Sequence, residues 1–282
     1  MRAQLRLATL LPGRRIPRLL SRLLSGEDPE ADLPTLPASR SWPQLVESDL
    51  PDIQGEVYLL EGCAMRVLYP QVHEATRRLL RRIGYVVKDV PQGCCGALHA
   101  HNGYLDTASE MRQRLVNKLS NSIPIIVDSA GCGSWLKEMG TGRVFDASEF
   151  LADHGLEDQL FKSHLNKTVT YHDACHLAHG QGIRSAPRKL LKAIPGLKLV
   201  ELAESDMCCG SAGIYNVTQP KMARELLERK WRNVLASGAE IVALGNPGCH
   251  AWIAQAAREH ASPIQVLHTI EVLESAFNSS TA

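Results

Sequence analysis

The sequence predicts an α/β protein made of two tandem homologous domains, each a small, mainly parallel sheet flanked by helices, with cysteines at the carboxyl ends of the strands. Three observations predict it. The eight cysteines fall into two sets of four, Cys63, Cys94, Cys95, Cys132 and Cys175, Cys208, Cys209, Cys249. Corresponding members lie 112, 114, 114 and 117 residues apart, a drift that small loop insertions produce. Flanking residues repeat with them. Gln92-Gly93-Cys94-Cys95-Gly96 matches Asp206-Met207-Cys208-Cys209-Gly210, and Ala130-Gly131-Cys132-Gly133-Ser134-Trp135 matches Pro247-Gly248-Cys249-His250-Ala251-Trp252. Short β-rich runs also alternate with helical periodicity in the same order in both halves, which implies parallel sheets covered on both faces.

Composition bounds the function. The 282 residues are 44% hydrophobic, enough for two packed cores. Lys and Arg number 31 against 30 Asp and Glu, a net charge of +1 that argues against nucleic acid as a partner. No uninterrupted apolar run reaches about 18 residues, so no transmembrane helix is expected.

Residues 1–55 read as a basic, proline-rich connector. Arg2, Arg6, Arg14, Arg15, Arg18 and Arg22 precede the first acid, Glu27. A basic helix on an anionic membrane surface and an organellar presequence are the competing readings. Pro12, Gly13 and Pro17 break a long helix, and Pro29, Pro34, Pro37, Pro43 and Pro51 mark an extended linker. The first domain is expected at 56–165 and the second at 166–282.

In each domain a strand (Val57–Leu60; Val169–Tyr171) leads to the first cysteine. A helix follows, clearest at Val72, Ala75, Leu79, Leu80 and Ile83. A second strand (Tyr85–Val87; Leu197–Val200) leads to Cys-Cys-Gly. The next helix presents Ala108, Met111, Leu115 and Leu119 in the first domain. In the second it presents Ala223, Leu226, Leu227 and Val234, with Thr218 as its cap and Pro220 in its first turn. A third strand (Ile123–Val127; Ile241–Leu244) leads to the last cysteine, and short fourth strands are expected at 143–145 and 264–267. Every cysteine therefore follows a strand's carboxyl end, the edge where open parallel sheets bind ligands. Three loops should gather four sulfurs in each domain.

Three chemistries compete for those sulfurs. Adjacent cysteines bridge only under strain, because their α-carbons lie about 3.8 Å apart. Zinc sites prefer Cys-x2-Cys pairs, which this chain lacks. An iron–sulfur cluster offers several irons, so neighbouring thiolates can each take a different one. Gly96 and Gly210 would let the backbone approach such a cluster or adopt positive φ. The ferredoxin spacing is absent. No phosphate-binding glycine loop precedes a helix, so no NAD or FAD site is expected on this chain, and there is no Gly-x-Ser-x-Gly nucleophile elbow. No residue is assigned a catalytic role.

The segments Leu60-Glu61-Gly62-Cys63, Gly93-Cys94-Cys95-Gly96-Ala97-Leu98-His99 and Tyr171-His172-Asp173-Ala174-Cys175-His176-Leu177-Ala178-His179-Gly180-Gln181-Gly182 carry a family resemblance. So do Cys208-Cys209-Gly210-Ser211-Ala212-Gly213-Ile214-Tyr215-Asn216 and Gly245-Asn246-Pro247-Gly248-Cys249. They resemble the cysteine-rich CCG domains of the heterodisulfide reductase family and, more closely, the iron–sulfur subunits of glycolate oxidase (glycolate dehydrogenase). The resemblance implies an iron–sulfur cluster of 4Fe-4S type held by the eight cysteines, with zinc as the alternative in one domain. It implies FAD-containing partner subunits oxidising glycolate to glyoxylate, a quinone acceptor, and a chain not active alone. A cytoplasmic site, with peripheral association at the inner face of the membrane, is expected. Two departures stand out. The amino-terminal ferredoxin domain of those subunits has no counterpart before Cys63, and Trp135 and Trp252 occupy the places where the family often has a fifth cysteine.

Around the sulfurs, His99, His172, His176 and His250, with Gly96 and Gly210, are expected to pack against or hydrogen-bond the ligands. Arg77, Arg78, Arg81 and Arg82 cover one helix face, read as a solvated surface or a docking patch for an acidic partner. Two other functions remain open at this level: a zinc-stabilised scaffold docking the flavin subunits, and thiol–disulfide chemistry of the heterodisulfide reductase kind.

Overall fold

In a computed structural model that describes residues 41–88 and 93–278, two four-stranded, all-parallel sheets repeat one topology. The leader 1–24 and the linker up to residue 40 lie outside the described residues. The first half runs β1 (Gly55–Leu60), α1 (Met65–Leu68), α2 (Pro70–Arg82), β2 (Tyr85–Lys88), α3 (Ala97–Ala100), α4 (Leu105–Val116), β3 (Ile125–Val127), α5 (Ala130–Glu138), β4 (Val144–Asp146), α6 (Ala147–Asp153) and α7 (Leu156–Leu160). The second runs β5 (Thr168–Tyr171), α8 (Cys175–Ala178), α9 (Ser185–Lys192), β6 (Lys198–Glu201), α10 (Tyr215–Thr218), α11 (Pro220–Ala236), β7 (Ile241–Leu244), α12 (Pro247–Glu259), β8 (Gln265–His268) and α13 (Thr269–Asn278).

The sheet orders are β2-β1-β3-β4 and β6-β5-β7-β8. Equivalent registers pair Tyr58 with Ile125 and Val169 with Ile241. The chain steps outward from β1 to β2, then returns to the other side of β1 to lay down β3. The crevice at such a reversal, above the strands' carboxyl ends, is the usual ligand position in open sheets. The loops after β1 and β3 carry Cys63 and Cys132; those after β5 and β7 carry Cys175 and Cys249.

Alternation along the strands sorts the layers. Val57, Leu59 and Ile126 point to one face; Tyr58, Leu60, Ile125 and Val127 point to the other. The first face meets its counterpart from the second half, Val169, Tyr171, Ile241 and Ala243, in one continuous core. Between the sheets lie α2, α6, α7, α9 and α13, contributing Val72, Leu79, Leu80, Phe150, Leu156, Leu190, Leu191 and Leu273. Helix α2 packs on α13, and α9 packs on α6, as an approximate two-fold relating the halves requires. The outer faces are closed separately by α4 and α5 and by α11 and α12.

The arginine row on α2 differs from both readings of it as a surface. Arg78 is buried and its Nε donates to Glu274 Oε1 at 2.6 Å, across the junction of the halves. Arg82 reaches the same carboxylate at 3.3 Å and stacks 3.9 Å over the Phe277 ring. Arg77 pairs with Glu61 at 3.0 Å, and Arg81 donates to the Pro51 carbonyl at 2.7 Å. These cations have internal partners, so nothing remains for an acidic visitor to neutralise. Thr218 differs as well: it ends α10, and Gln219 is the cap position of α11. Leu119 falls beyond the end of α4, where the chain has already left the helix.

Glu274 is fully buried between two arginines, so its loss strands their charges in the core. Glu274→Ala is expected to destabilise the protein by about 3–5 kcal/mol in urea unfolding. A loss below about 1 kcal/mol would show that the contact is incidental to docking.

Candidate metal centre

Eight free thiols converge on one cavity of about 250 Å³ between the halves. Cys63 comes from the turn after β1, Cys94 and Cys95 from the loop after β2, and Cys132 from the first turn of α5. Cys175 opens α8, Cys208 and Cys209 follow β6, and Cys249 lies in the first turn of α12. Sequence reasoning gathers four sulfurs per domain. It misses that both fours line a single space, because the docking of the halves leaves no local signature.

Within the first set Cys94 lies 3.4 Å from Cys63 and Cys95 lies 3.0 Å from Cys132, sulfur to sulfur. Both exceed a disulfide bond of about 2.05 Å. Hydrogen bonding between the sulfurs splits each couple: Cys94 and Cys132 are held below the ordinary thiol value, and Cys63 and Cys95 above it. The second set repeats the pattern, with Cys208 and Cys249 lowered and Cys175 and Cys209 raised. A thiol shares its proton with a neighbouring thiolate in each pair. Such a proton-sharing sulfur set is suited to trade its protons for a metal.

The glycines after the cysteine pairs shape the loops. Gly96 has φ +88° and Gly210 has φ +95°, a region that side chains disfavour. A Cβ on Gly96 would sit 2.5 Å from the Ala108 carbonyl oxygen, and one on Gly210 would sit 2.4 Å from that of Ala223. The loops are pressed onto α4 and α11, and the Gly210 N–H donates to Cys208 Sγ at 3.3 Å.

Backbone and side-chain bonds tie the two sets together. The Ala130 N–H donates to the Gly245 carbonyl at 3.0 Å, and the Gly131 N–H donates to Asn246 Oδ1 at 3.1 Å. The amide of Asn246 also lies 3.7 Å from Cys249 Sγ. One side chain therefore touches the Cys132 loop and a sulfur of the other half. Gln181 donates to the Ala130 carbonyl at 3.0 Å and packs on Gly133.

The histidines divide. His176 lines the cavity beside Cys175, 3.8 Å away, and stacks on His101 with ring centroids 4.2 Å apart. His172 is fully buried behind Cys209 and Cys249, the donor atoms of the three lying within 4.8 Å of one another. His99 sits on α3 and is not among the cavity-lining residues. His250 points away: its Nε2 donates to the Val266 carbonyl at 2.8 Å, and its ring stacks on Tyr69. Burial pushes it down to about 3, so it is neutral. Trp135 and Trp252 are both buried. Trp135 donates to the Cys95 carbonyl at 2.9 Å, which fixes the loop whose sulfur it follows. Asn246, Gln181 and Lys230 escaped sequence reasoning; a polar side chain two or three residues before a cysteine was the one available signal, and it marks Asn246.

Known proteins share this cysteine arrangement. The model of the family described as "CCG: Cysteine-rich domain" matches residues 57–137 and 169–254, once per half. The CoM/CoB-dependent fumarate reductase of Methanothermobacter marburgensis matches through its B chain, 36% identical over 225 residues, 77% of this chain and 45% of that protein. The probable glycolate oxidase iron-sulfur subunit of Bacillus subtilis is 31% identical over 242 residues, 78% of this chain and 54% of its own length. Lactate utilization protein A of Oceanobacillus iheyensis is 29% identical over 237 residues, 77% of this chain and 96% of its own length. The chain thus spans about half the length of the first two relatives and nearly all of the third. Among the described residues no helix is long and apolar enough to cross a membrane. With its cysteine pattern, repeated parallel sheets and a family match in each half, the chain belongs to the cysteine-rich (CCG) domain family.

Proposed function

We propose that this chain is an iron–sulfur electron-transfer subunit of a glycolate oxidase-like complex. Its partners would be FAD-containing subunits that oxidise glycolate to glyoxylate, and the electrons would move on toward a quinone. The observation that carries the reading is the eight free thiols lining one cavity, four from each half. The names of the Methanothermobacter and Bacillus relatives, both components of oxidoreductases, support it.

The residues fit a cluster better than a single ion. Cys94 and Cys95 are adjacent yet pair with different sulfurs, Cys63 and Cys132, so they face separate positions. A multinuclear group accepts that arrangement, whereas one tetrahedral ion needs all four sulfurs at about 2.3 Å. Cys63, Cys94, Cys95 and Cys132 would hold one centre of 4Fe-4S type, and Cys175, Cys208, Cys209 and Cys249 a second. An iron–sulfur cluster supplies one-electron transfer at a potential set by charge, hydrogen bonds and exposure. The chain's own groups set those conditions. Gly96 and Gly210 bring backbone to the sulfurs, Asn246 offers an N–H to Cys249, and Trp135 anchors the Cys95 carbonyl.

Anaerobic reconstitution is expected to give a brown protein holding iron and acid-labile sulfide. Cys95→Ser and Cys209→Ser should each remove one centre's share of both. Iron-free protein, or zinc bound without visible absorbance, would overturn the reading.

Gly210→Ala tests the loop geometry separately. The added methyl cannot fit against the Ala223 carbonyl, so the Cys208–Cys209 loop must move. Iron bound at the second centre is expected to fall by at least half while the first centre keeps its share; equal iron in both proteins would contradict the argument.

A further inference from the structure

The two sets of cysteines match, but their surroundings do not. Leu60 and His172 hold equivalent places, each three residues before the first cysteine of its set. Ala108 and Ala223 make the same contact with Gly96 and Gly210, and two helical turns further on Leu115 corresponds to Lys230. Leu60 and Leu115 are buried in the outer core of the first half with Cys95 and Trp135. The second half has a histidine and a lysine there, both fully buried. Buried ionisable groups are costly unless they have partners. Leucine at both positions of the sister domain shows that the fold itself does not require them.

The tautomer of His172 follows from its partner. Nδ1 lies 3.1 Å from the carbonyl oxygen of Ser205, which can only accept, so Nδ1 carries the proton. The Ser205 carbonyl is itself fixed by Lys230 Nζ at 3.2 Å. Nε2 is then a bare lone pair, and it is buried with no hydrogen-bond partner. It lies with the sulfurs of Cys209 and Cys249 in the one His/Cys/Asp/Glu group of metal-binding geometry among the described residues. A ring nitrogen that donates to a backbone carbonyl while the other faces a ligand set is the usual arrangement of a metal-bound histidine. The tryptophans differ in the same sense. Trp135 spends its N–H on the Cys95 carbonyl, whereas the Trp252 N–H is buried without a partner beside the cavity.

We propose that His172 Nε2 is a nitrogen ligand of the second centre, so that the second centre has four thiolates and an imidazole while the first has thiolates alone. The proposal rests on the iron–sulfur reading above for the identity of the metal. Replacing thiolate character by neutral nitrogen raises a cluster's potential, and the ammonium of Lys230 adds to that effect. The second centre is thus the more easily reduced, and electrons run from the first domain to the second.

The test compares the full chain with His172→Leu, a variant that copies Leu60 of the sister domain. Both are reconstituted with iron and sulfide, reduced, and measured by pulsed EPR for nitrogen hyperfine coupling and by potentiometric titration. One strongly coupled nitrogen in the wild type is expected. In the variant it should vanish and the midpoint of that centre should fall, with the other centre unchanged. Iron-loaded proteins with superimposable spectra and no strong nitrogen coupling would overturn the proposal and leave the iron–sulfur reading standing. If the wild type retains no iron, that reading falls, and Co2+ titration of the reduced chains decides the ligand. At least tenfold weaker Co2+ binding by His172→Leu supports the nitrogen donor, and equal affinities refute it.

Discussion

The docking of two parallel sheets through one shared core is the constraint on which the site depends. Each sheet delivers its cysteine loops to its own carboxyl edge, because parallel strands share a direction. That alone makes two separate sulfur clusters. The shared core, with Arg78 and Glu274 buried at its α2–α13 seam, sets the halves so that both edges face one cavity. The buried pair contributes little net attraction after desolvation, yet leaving either partner alone is costly. It therefore acts as a selector of one docking geometry against others.

Docking also links the two sulfur sets chemically. Asn246 accepts from the Gly131 N–H and points its amide at Cys249. A buried His73–Asp128 pair at 2.7 Å and His268, which donates to the Asp128 carbonyl at 2.9 Å, hold the β3 end of the first half against β8 of the second. The loop carrying Cys132 is thus positioned by residues of both halves. A substitution there would disturb both sulfur sets.

Local features were readable from the residues alone. Strand-to-cysteine order, the apolar face of α2 and the need for glycine at 96 and 210 depend on neighbours within a few positions, and periodicity or φ preference reports them. The docking was not readable. Arg78 and Glu274 are 196 residues apart, and an arginine row on a helix looks like a solvated face until its carboxylate partner is found. The inequality of the two sites lay between these extremes. Aligning the repeats places Leu60 against His172, but only the structure turns Nε2 of that histidine toward Cys209 and Cys249.

The claim that both sulfur sets face one cavity is tested most directly by the magnetic interaction between two reduced centres in the reconstituted chain. Centres sharing a cavity of about 250 Å³ are close enough to split and broaden each other's EPR signals. The account predicts that splitting when both are reduced, and its collapse to a single simple signal in Cys95→Ser. Two unsplit, independently relaxing signals in the fully reduced wild type would contradict it.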